Sequence, residues 1–433
     1  MRIRWMSRCR DLSATDRQAL FDRASSSDAA VRVRTADIVQ RVRRGGDAAL
    51  RTLAEQLDGV VLDSLEVPRA RWTAALDALD PLLRRSMERA AANIERVHHA
   101  FRPMTQEVES EPGIVVGRRP DPLGRVGVYA PGGRAAYPSS LLMGTIPGRV
   151  AGVGEIVVCS PPSRHTMLPS DVVLAAAALA GADRLFALGG AGAIAAMAYG
   201  TQSVPRVDRI VGPGNAYVAE AKIQVSSVVA IDSPAGPSEL LVLCDATADP
   251  CLVARELLAQ AEHDPLAAVI AVATSEPLAH AISAELARQL LAQPRAEISA
   301  VALAGQGAVL WTDTLHEAIA FANEYAAEHL LLLVDDADTV LALLRSAGTV
   351  LVGAHSSVAF GDYMTGANHV LPTGGFARSY SGLSTLDFVR WTTYQRVTHA
   401  AATRLATDVG VFASAEGLPG HALAALAWAE GAA

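Results

Sequence analysis

Phe321 to Asp336 reads FANEYAAEHLLLLVDD, an apolar-faced helix running into a buried strand, with an acid beside an imidazole at the join, Glu328-His329. A chain turning from helix to strand needs no titratable groups there. The two are either a solvated helix end or a matched acid/base pair in a cleft, where histidine would exchange protons near neutral pH. Three other stretches carry groups of similar kind. LLAQAEHDP places Gln260 and His263 three apart, on one helix face. An amide oxygen and an imidazole so spaced are compatible with a metal, although a histidine at a helix C-terminus is also favoured by the dipole. FGDYMTGANHVLP supplies Asp362, a hard oxygen ligand or a plain turn residue, and His369. AEGLPGHALAAL supplies Glu416 and His421 just before the last helix, where a solvated role suits either. Taken one at a time, each of these groups fits a structural reading better than a chemical one.

Composition narrows the classes. At 433 residues the chain is too long for one core, and two to four domains are expected. It is 51% hydrophobic and only 5% aromatic, which suits helices packed on parallel strands. Lys+Arg total 37 against 45 Asp+Glu, a formal charge of -8, which argues against a nucleic-acid partner. No apolar run reaches the ~18 residues of a membrane span. The opening MRIRWMSRCRDLSATDRQ lacks an apolar h-region, so no signal peptide and a cytoplasmic location are expected. Cys9, Cys159, Cys244 and Cys251 show no CxxC spacing and read as reduced thiols, Cys159 and Cys244 in buried strands. That disfavours a sulfur nucleophile or a cysteine zinc site.

The elements that must position these groups fall into a rhythm. The first hundred or so residues read as helices, with Gly45-Gly46 as a stop. From Gly124 strand and helix alternate through GRVGVYAPGG, EIVVCSPP, RLFALGGAG, DRIVGPGN and VVAIDSPAGPSE. The rhythm runs again through ELLVLCD, AAVIAVATS, AVLWTD, LLLLVDD and TVLVG, which predicts two doubly wound, Rossmann-like parallel-sheet modules. We expect a helical arm over 1–25, a zinc/catalytic module from 26–125 plus 239–374, an inserted cofactor-side module over 126–238, and a helical tail over 375–433. Open α/β sheets bind ligands beyond the carboxyl ends of their strands, so the loops to inspect follow strands. APGGR, GGAGA, GPGN and SPAGPSE are rich in glycine and proline. They suit an anion such as a pyrophosphate at helix N-termini, or serve only as tight turns. No GxGxxG with a placed downstream acid is present.

Taken together, DRIVGPGNAYVAEAK, AGPSELLV, LLAQAEHD, NEYAAEHL, FGDYMTGANHVLPT, SGLSTLDF and AEGLPGHA resemble the histidinol dehydrogenase family, over most of the chain from about Gly124 onward. The resemblance implies NAD-dependent oxidation of L-histidinol to L-histidine through histidinaldehyde, the last steps of histidine biosynthesis. It implies one Zn²⁺ per subunit, with Gln260, His263, Asp362 and His421 matching the zinc ligands. Glu328 and His329 match the catalytic pair; Ser238, His369 and Glu416 match substrate contacts; Tyr129, Asn215 and the Gly192 position match NAD contacts. With the ligands and the pair, these make the expected substrate site. A homodimer with exchanged C-terminal tails is implied too, His421 acting in the partner's site. Two departures fall on the cofactor side: Gly192 stands where the family has Gln, and Gly144 where it has Asn. They leave open a paralogue that oxidises another small alcohol, such as a sulfonated diol. A silent zinc-binding scaffold is disfavoured because Glu328 and His329 are both retained.

Overall fold

The computed structural model describes residues 2–23, 29–132 and 136–429. Its strands are β1 (Trp5–Arg8), β2 (Gln106–Glu111), β3 (Ile114–Pro122), β4 (Arg125–Tyr129), β5 (Glu155–Ser160), β6 (Arg184–Ala187), β7 (Arg209–Val211), β8 (Ala230–Ile231), β9 (Glu239–Cys244), β10 (Ala268–Ala273), β11 (Gly307–Trp311), β12 (His329–Leu333), β13 (Thr349–Val352) and β14 (Val389–Val397). Two parallel sheets dominate. One has five strands in the order β6-β5-β4-β7-β8, the other six in the order β1-β11-β10-β9-β12-β13. Counted from the first strand of each run, β4 and β9, both have the order third-second-first-fourth-fifth. In the larger sheet β1 adds at the free edge of β11. The modules thus share their winding as well as their rhythm, and in each the order reverses beside the first strand.

Both faces of the larger sheet are covered, as parallel sheets require. Along β9 alternate residues enter two separate cores. Leu240 and Val242 pack with Leu257, Leu258, Ile282 and Leu286, while Leu241 and Leu243 pack with Ile270, Phe321, Leu330 and Leu332. That explains why the strand reads as a continuous apolar run rather than an alternation. In the smaller sheet's core, Val157, Ile194 and Val218 meet Ile38, Leu50 and Leu53 from Ala29–Leu53, two helices that join at a kink where Gly46, part of the expected stop, has φ 54°.

Several boundaries differ from expectation. The N-terminal arm is not purely helical, because Trp5–Arg8 pairs with β11; residues 24–28 lie outside the described ones. The two helices of Ala29–Leu53, assigned by sequence to the catalytic module, pack on the cofactor-side module instead. The helix Ala296–Gln306 lies where no element was expected. The chain divides into two compact units, Met1–Phe101 with Leu123–Phe388, and Arg102–Pro122 with Val389–Ala433. The first holds both parallel sheets. The second holds an antiparallel sheet, β14-β3-β2, and the helices His399–Ala415 and Pro419–Leu426, so the tail opens with a strand. No described helix is long and apolar enough to cross a membrane.

Candidate active site

The helix Leu315–Tyr325 is started by Thr314, whose hydroxyl accepts the Glu317 N–H at 3.2 Å, while Glu317 accepts the Asp313 N–H at 3.0 Å. It is stopped by Ala326 in the left-handed region, φ 53°, costly for a residue with a Cβ. The chain then turns straight into β12 with Glu328 and His329 at its amino end. Next to them Gly348 must be glycine: a Cβ there would lie 2.5 Å from the Glu328 carbonyl oxygen.

Glu328 and His329 are 6% and 5% exposed, which removes the solvated-helix-end reading. The His329 ring is bracketed by carboxylates. Nδ1 lies 3.4 Å from Glu328 Oε2, and Nε2 lies 3.4 Å from Asp362 Oδ1. Nδ1 also lies 3.2 Å from the Glu239 carbonyl oxygen, to which it donates when protonated. Burial opposes charge on the ring, but Glu328 and Asp362 together outweigh it and raise its pKa from 6.5 to about 10. Burial works against the Asp362 charge too, yet His329 holds its pKa below the ordinary value. His369 Nδ1 sits 2.8 Å from the Asp362 carbonyl oxygen, and burial draws its pKa down. His329, Asp362 and His369 line one cavity of about 250 Å³.

A reciprocal clamp holds Glu328. Its Oε2 accepts the Glu239 N–H at 2.7 Å, and its own N–H donates to Glu239 Oε2 at 3.3 Å. Glu239 is 1% exposed; its other oxygen accepts the Gly374 N–H at 2.7 Å and faces Arg23 Nε at 3.4 Å. Burial raises the Glu239 pKa, with Arg23 pulling the other way. The Arg23 guanidinium also lies 3.4 Å from the Tyr325 ring centroid and donates to the Tyr325 carbonyl oxygen at 2.6 Å. Sequence reasoning missed both residues. Glu239 had a signal, an acid opening a buried strand run; Arg23 had none.

The metal-ligand candidates divide. Gln260 ends the helix Pro250–Ala261 and is 1% exposed. Among the described residues neither its amide oxygen nor its nitrogen has a hydrogen-bond partner. A buried amide left in that state is costly unless something binds it. His263 follows, half-buried, and is among the groups that act on the Asp362 carboxylate. Among the described residues no three His, Cys, Asp or Glu side chains converge to hold a metal, and Gln260, His263 and Asp362 are what this cluster offers. Ser238 lies half-buried just before β9. Glu416 and His421 belong to the second unit, both exposed, Glu416 at the end of His399–Ala415 and His421 in the first turn of Pro419–Leu426.

A second, larger cleft of about 740 Å³ opens at the carboxyl edge of the five-stranded sheet, lined by Tyr129, Pro161, Gly189, Gly190, Gly192 and Asn215, with Leu50 and Leu53 on one wall. Tyr129 is buried at the end of β4, its hydroxyl accepting the Gly190 N–H at 3.0 Å, and burial raises its pKa to about 12. Asn215 caps the helix Ala216–Val225, its Oδ1 accepting from Tyr217 and Val218 N–H. The helix Gly190–Tyr199 has no side-chain cap from Gly189; the Gly190 N–H is taken by Tyr129 and the Ala193 N–H by the Gly189 carbonyl, which leaves those of Ala191 and Gly192 to a ligand in the cleft. The departures differ physically. A Cβ at Gly144 would lie 2.6 Å from Val128, so the helix Pro138–Ala151 packs on β4 too tightly to take a side chain there without a shift, whereas one at Gly192 would meet only Leu50 and Leu53 at 3.6 and 3.8 Å.

The cysteines stand apart. Cys159 and Cys244 are fully buried at the carboxyl ends of β5 and β9, and burial raises both thiols, Cys244 to about 12.

The histidinol dehydrogenase family model matches residues 21–427. The chain is 49% identical over 414 residues to the histidinol dehydrogenase of Natronomonas pharaonis, covering 95% of this chain and 96% of that one. It is 44% identical over 413 residues to that of Methanosarcina mazei, covering 95% of each. The crystal structure of histidinol dehydrogenase from Elizabethkingia anophelis superposes with a TM-score of 0.93 at 32% identity, over 99% of this chain and 98% of that one. Sequence and fold agree over nearly the whole length, and the chain belongs to the histidinol dehydrogenase family of oxidoreductases.

Proposed function

We propose that this chain is a cytoplasmic, zinc- and NAD-dependent enzyme that oxidises L-histidinol to L-histidine through histidinaldehyde. Histidinol, two NAD⁺ and water give histidine, two NADH and the protons released. The observation that carries the reading is the buried His329 ring held between Glu328 and Asp362, 3.4 Å from each. The alcohol and the hydrated aldehyde must each shed a hydroxyl proton as hydride leaves, and His329 takes both. Water must add to the aldehyde between them, and Glu328, its carboxylate clamped by the Glu239 N–H, activates it. A base must be able to give up its proton. Asp362 is one of the two carboxylates that raise the His329 pKa, and as a metal ligand it would hold the ring charged less strongly, which would ease that exchange.

The unpartnered amide of buried Gln260 fits a metal, and Gln260, His263 and Asp362 would hold it with His421 from a second copy. Zinc, when bound, would fix the imidazole and amine of the substrate and so place its carbinol. Ser238, His369 and Glu416 would meet the rest of the substrate. NAD⁺, when bound, accepts the hydride; Tyr129, Gly192 and Asn215 line the cleft whose size and open helix N-terminus suit its pyrophosphate.

The test is NADH formation from histidinol against a panel of primary alcohols that includes a sulfonated diol, with and without a chelator. Histidinol should be preferred, the chelator should abolish turnover, and Zn²⁺ should restore it. Full activity in metal-free protein, or a preferred diol, would overturn the reading.

A homodimer with exchanged tails is part of the proposal. The second unit exposes Phe412 (71%), Leu423 (70%) and Val411 (67%), apolar surface that a second copy would cover. Inactive His421→Ala chains mixed with inactive Asp362→Ala chains should regain activity in about a quarter of all sites, since random pairing puts an intact ligand set in one site of each mixed dimer. No recovery, with reassortment verified by mass, would place His421 in its own chain's site.

A further inference from the structure

We infer that Glu256 is a positioning residue for the metal site, bracing the helix that carries Asp362 against the helix that carries Gln260; this rests on the zinc reading above. Asp362 sits in Val358–Tyr363, a helix of only six residues. A helix that short has almost no stability of its own and takes its place from what is attached to its ends. Its N-cap, Ser357, makes no side-chain capping bond to it. The Ser357 hydroxyl instead donates to Glu256 Oε2 at 3.1 Å, and the Val358 N–H donates to the same oxygen at 2.9 Å. The cap therefore comes from another helix, Pro250–Ala261, through a side chain only 5% exposed.

Glu256 and Gln260 are one turn apart on that helix, so they lie on the same face. One face thus presents a ligand candidate, the unpartnered Gln260 amide, and the brace that holds the element bearing another. The far end of the short helix is pinned too: His369 Nδ1 lies 2.8 Å from the Asp362 carbonyl oxygen, and Asn93 donates to the Met364 carbonyl oxygen at 2.8 Å. Glu256 touches no reacting atom. Its effect passes through the separation of Gln260 and Asp362, and metal affinity is the quantity that reads it.

Zinc affinity is measured by competition with a chromogenic chelator, alongside the Tm of the metal-free protein. Glu256→Ala leaves the Val358 N–H without its acceptor and should weaken zinc about 10- to 100-fold, the usual effect of losing a group that orients a ligand. Glu256→Gln should bind as wild type does, because both donors share one oxygen and an amide carbonyl can take its place. Leu286→Ala, a cavity in the same core, should lower Tm without moving affinity. Unchanged affinity in Glu256→Ala, or an equal loss in Leu286→Ala, overturns the inference. Should Glu256→Ala not fold, Ser357→Ala decides, since loss of one hydrogen bond should weaken zinc about fivefold and no change overturns the inference. Wild-type protein that binds no zinc overturns the zinc reading and this inference with it; wild-type binding with an unaltered Glu256→Ala overturns this inference alone.

Discussion

The two parallel sheets have the same strand order and gather their candidate groups at opposite edges. In the five-stranded sheet the cleft lies at the carboxyl ends, beside β4 and β7, where the order reverses. In the six-stranded sheet the equivalent strands are β9 and β12, but the titratable cluster sits at their amino ends, on Glu239, Glu328 and His329. At the carboxyl edge there the ends of β9 and β12 are tied to each other. Asp245 accepts the Asp335 N–H at 2.9 Å and both the backbone N–H and the hydroxyl of Thr247. Helix dipoles give the choice a physical sense. Helices of a parallel module begin at the carboxyl edge and end at the amino edge. The carboxyl edge therefore gathers helix N-termini, which favour a pyrophosphate. The amino edge gathers helix C-termini, here those of Pro250–Ala261 and Leu315–Tyr325, which favour a metal cation and an imidazolium.

The largest effects should come from the amino edge. His329→Ala should lower kcat by about 10²–10⁴-fold in both oxidations, and Glu328→Ala by a similar factor chiefly in the aldehyde half, measured with histidinaldehyde supplied directly. Cofactor KM should stay put in both; a matching rise would break the division between edges, and equal losses in both halves for Glu328→Ala would break the division of roles.

Gly212→Ala probes the other edge. Gly212 has φ 115°, and a Cβ would lie 2.2 Å from the Tyr129 carbonyl oxygen, so the loop cannot keep its place beside β4. A loss of about 1–3 kcal/mol of stability and a raised cofactor KM are expected, with zinc affinity unmoved. A pH-dependent contribution should come from Asp47, in the helix that walls the same cleft. Burial opposes its charge, but hydrogen bonds from Ser203 (2.5 Å) and Thr201 (2.6 Å) outweigh that and lower its pKa below 3.8. A lowered carboxyl contributes stability that is complete above the ordinary pKa and lost as pH falls through the lowered one. Melting curves should therefore show Asp47→Asn less stable than wild type at neutral pH and the two converging in strong acid; parallel curves would remove Asp47 from the account. The smallest effect should be Gly192→Gln, which the open space beside Leu50 and Leu53 admits. It should lower cofactor KM a few-fold, about one hydrogen bond, and leave kcat alone.

Much of this was legible in the chain itself. The ten strands of the two runs could be read because the inner ones, buried on both faces, are continuous apolar runs bounded by glycine, proline and polar turns, and the edge strands β8 and β13, only partly buried, follow the same rhythm. The shorter pieces could not. Trp5–Arg8 becomes a strand only because β11 has a free edge, and β2, with all six residues exposed, has no apolar pattern to announce it. The family motifs assigned His329, Asp362 and Gln260 to one site, but not the 3.4 Å approach of His329 to Asp362 or the clamp on Glu328.

Local sequence determined which segments are helix or strand and which residue types are available for chemistry, because periodicity and turn residues act over a few positions. Only the tertiary structure decided that Glu328 and Glu239, 89 positions apart, clamp each other's backbone, that Arg23 supplies the charge beside Glu239, and that the titratable cluster lies at the amino edge. Those outcomes depend on strand register and on which carboxylates share one buried space, and neither is written in the spacing of residues along the chain.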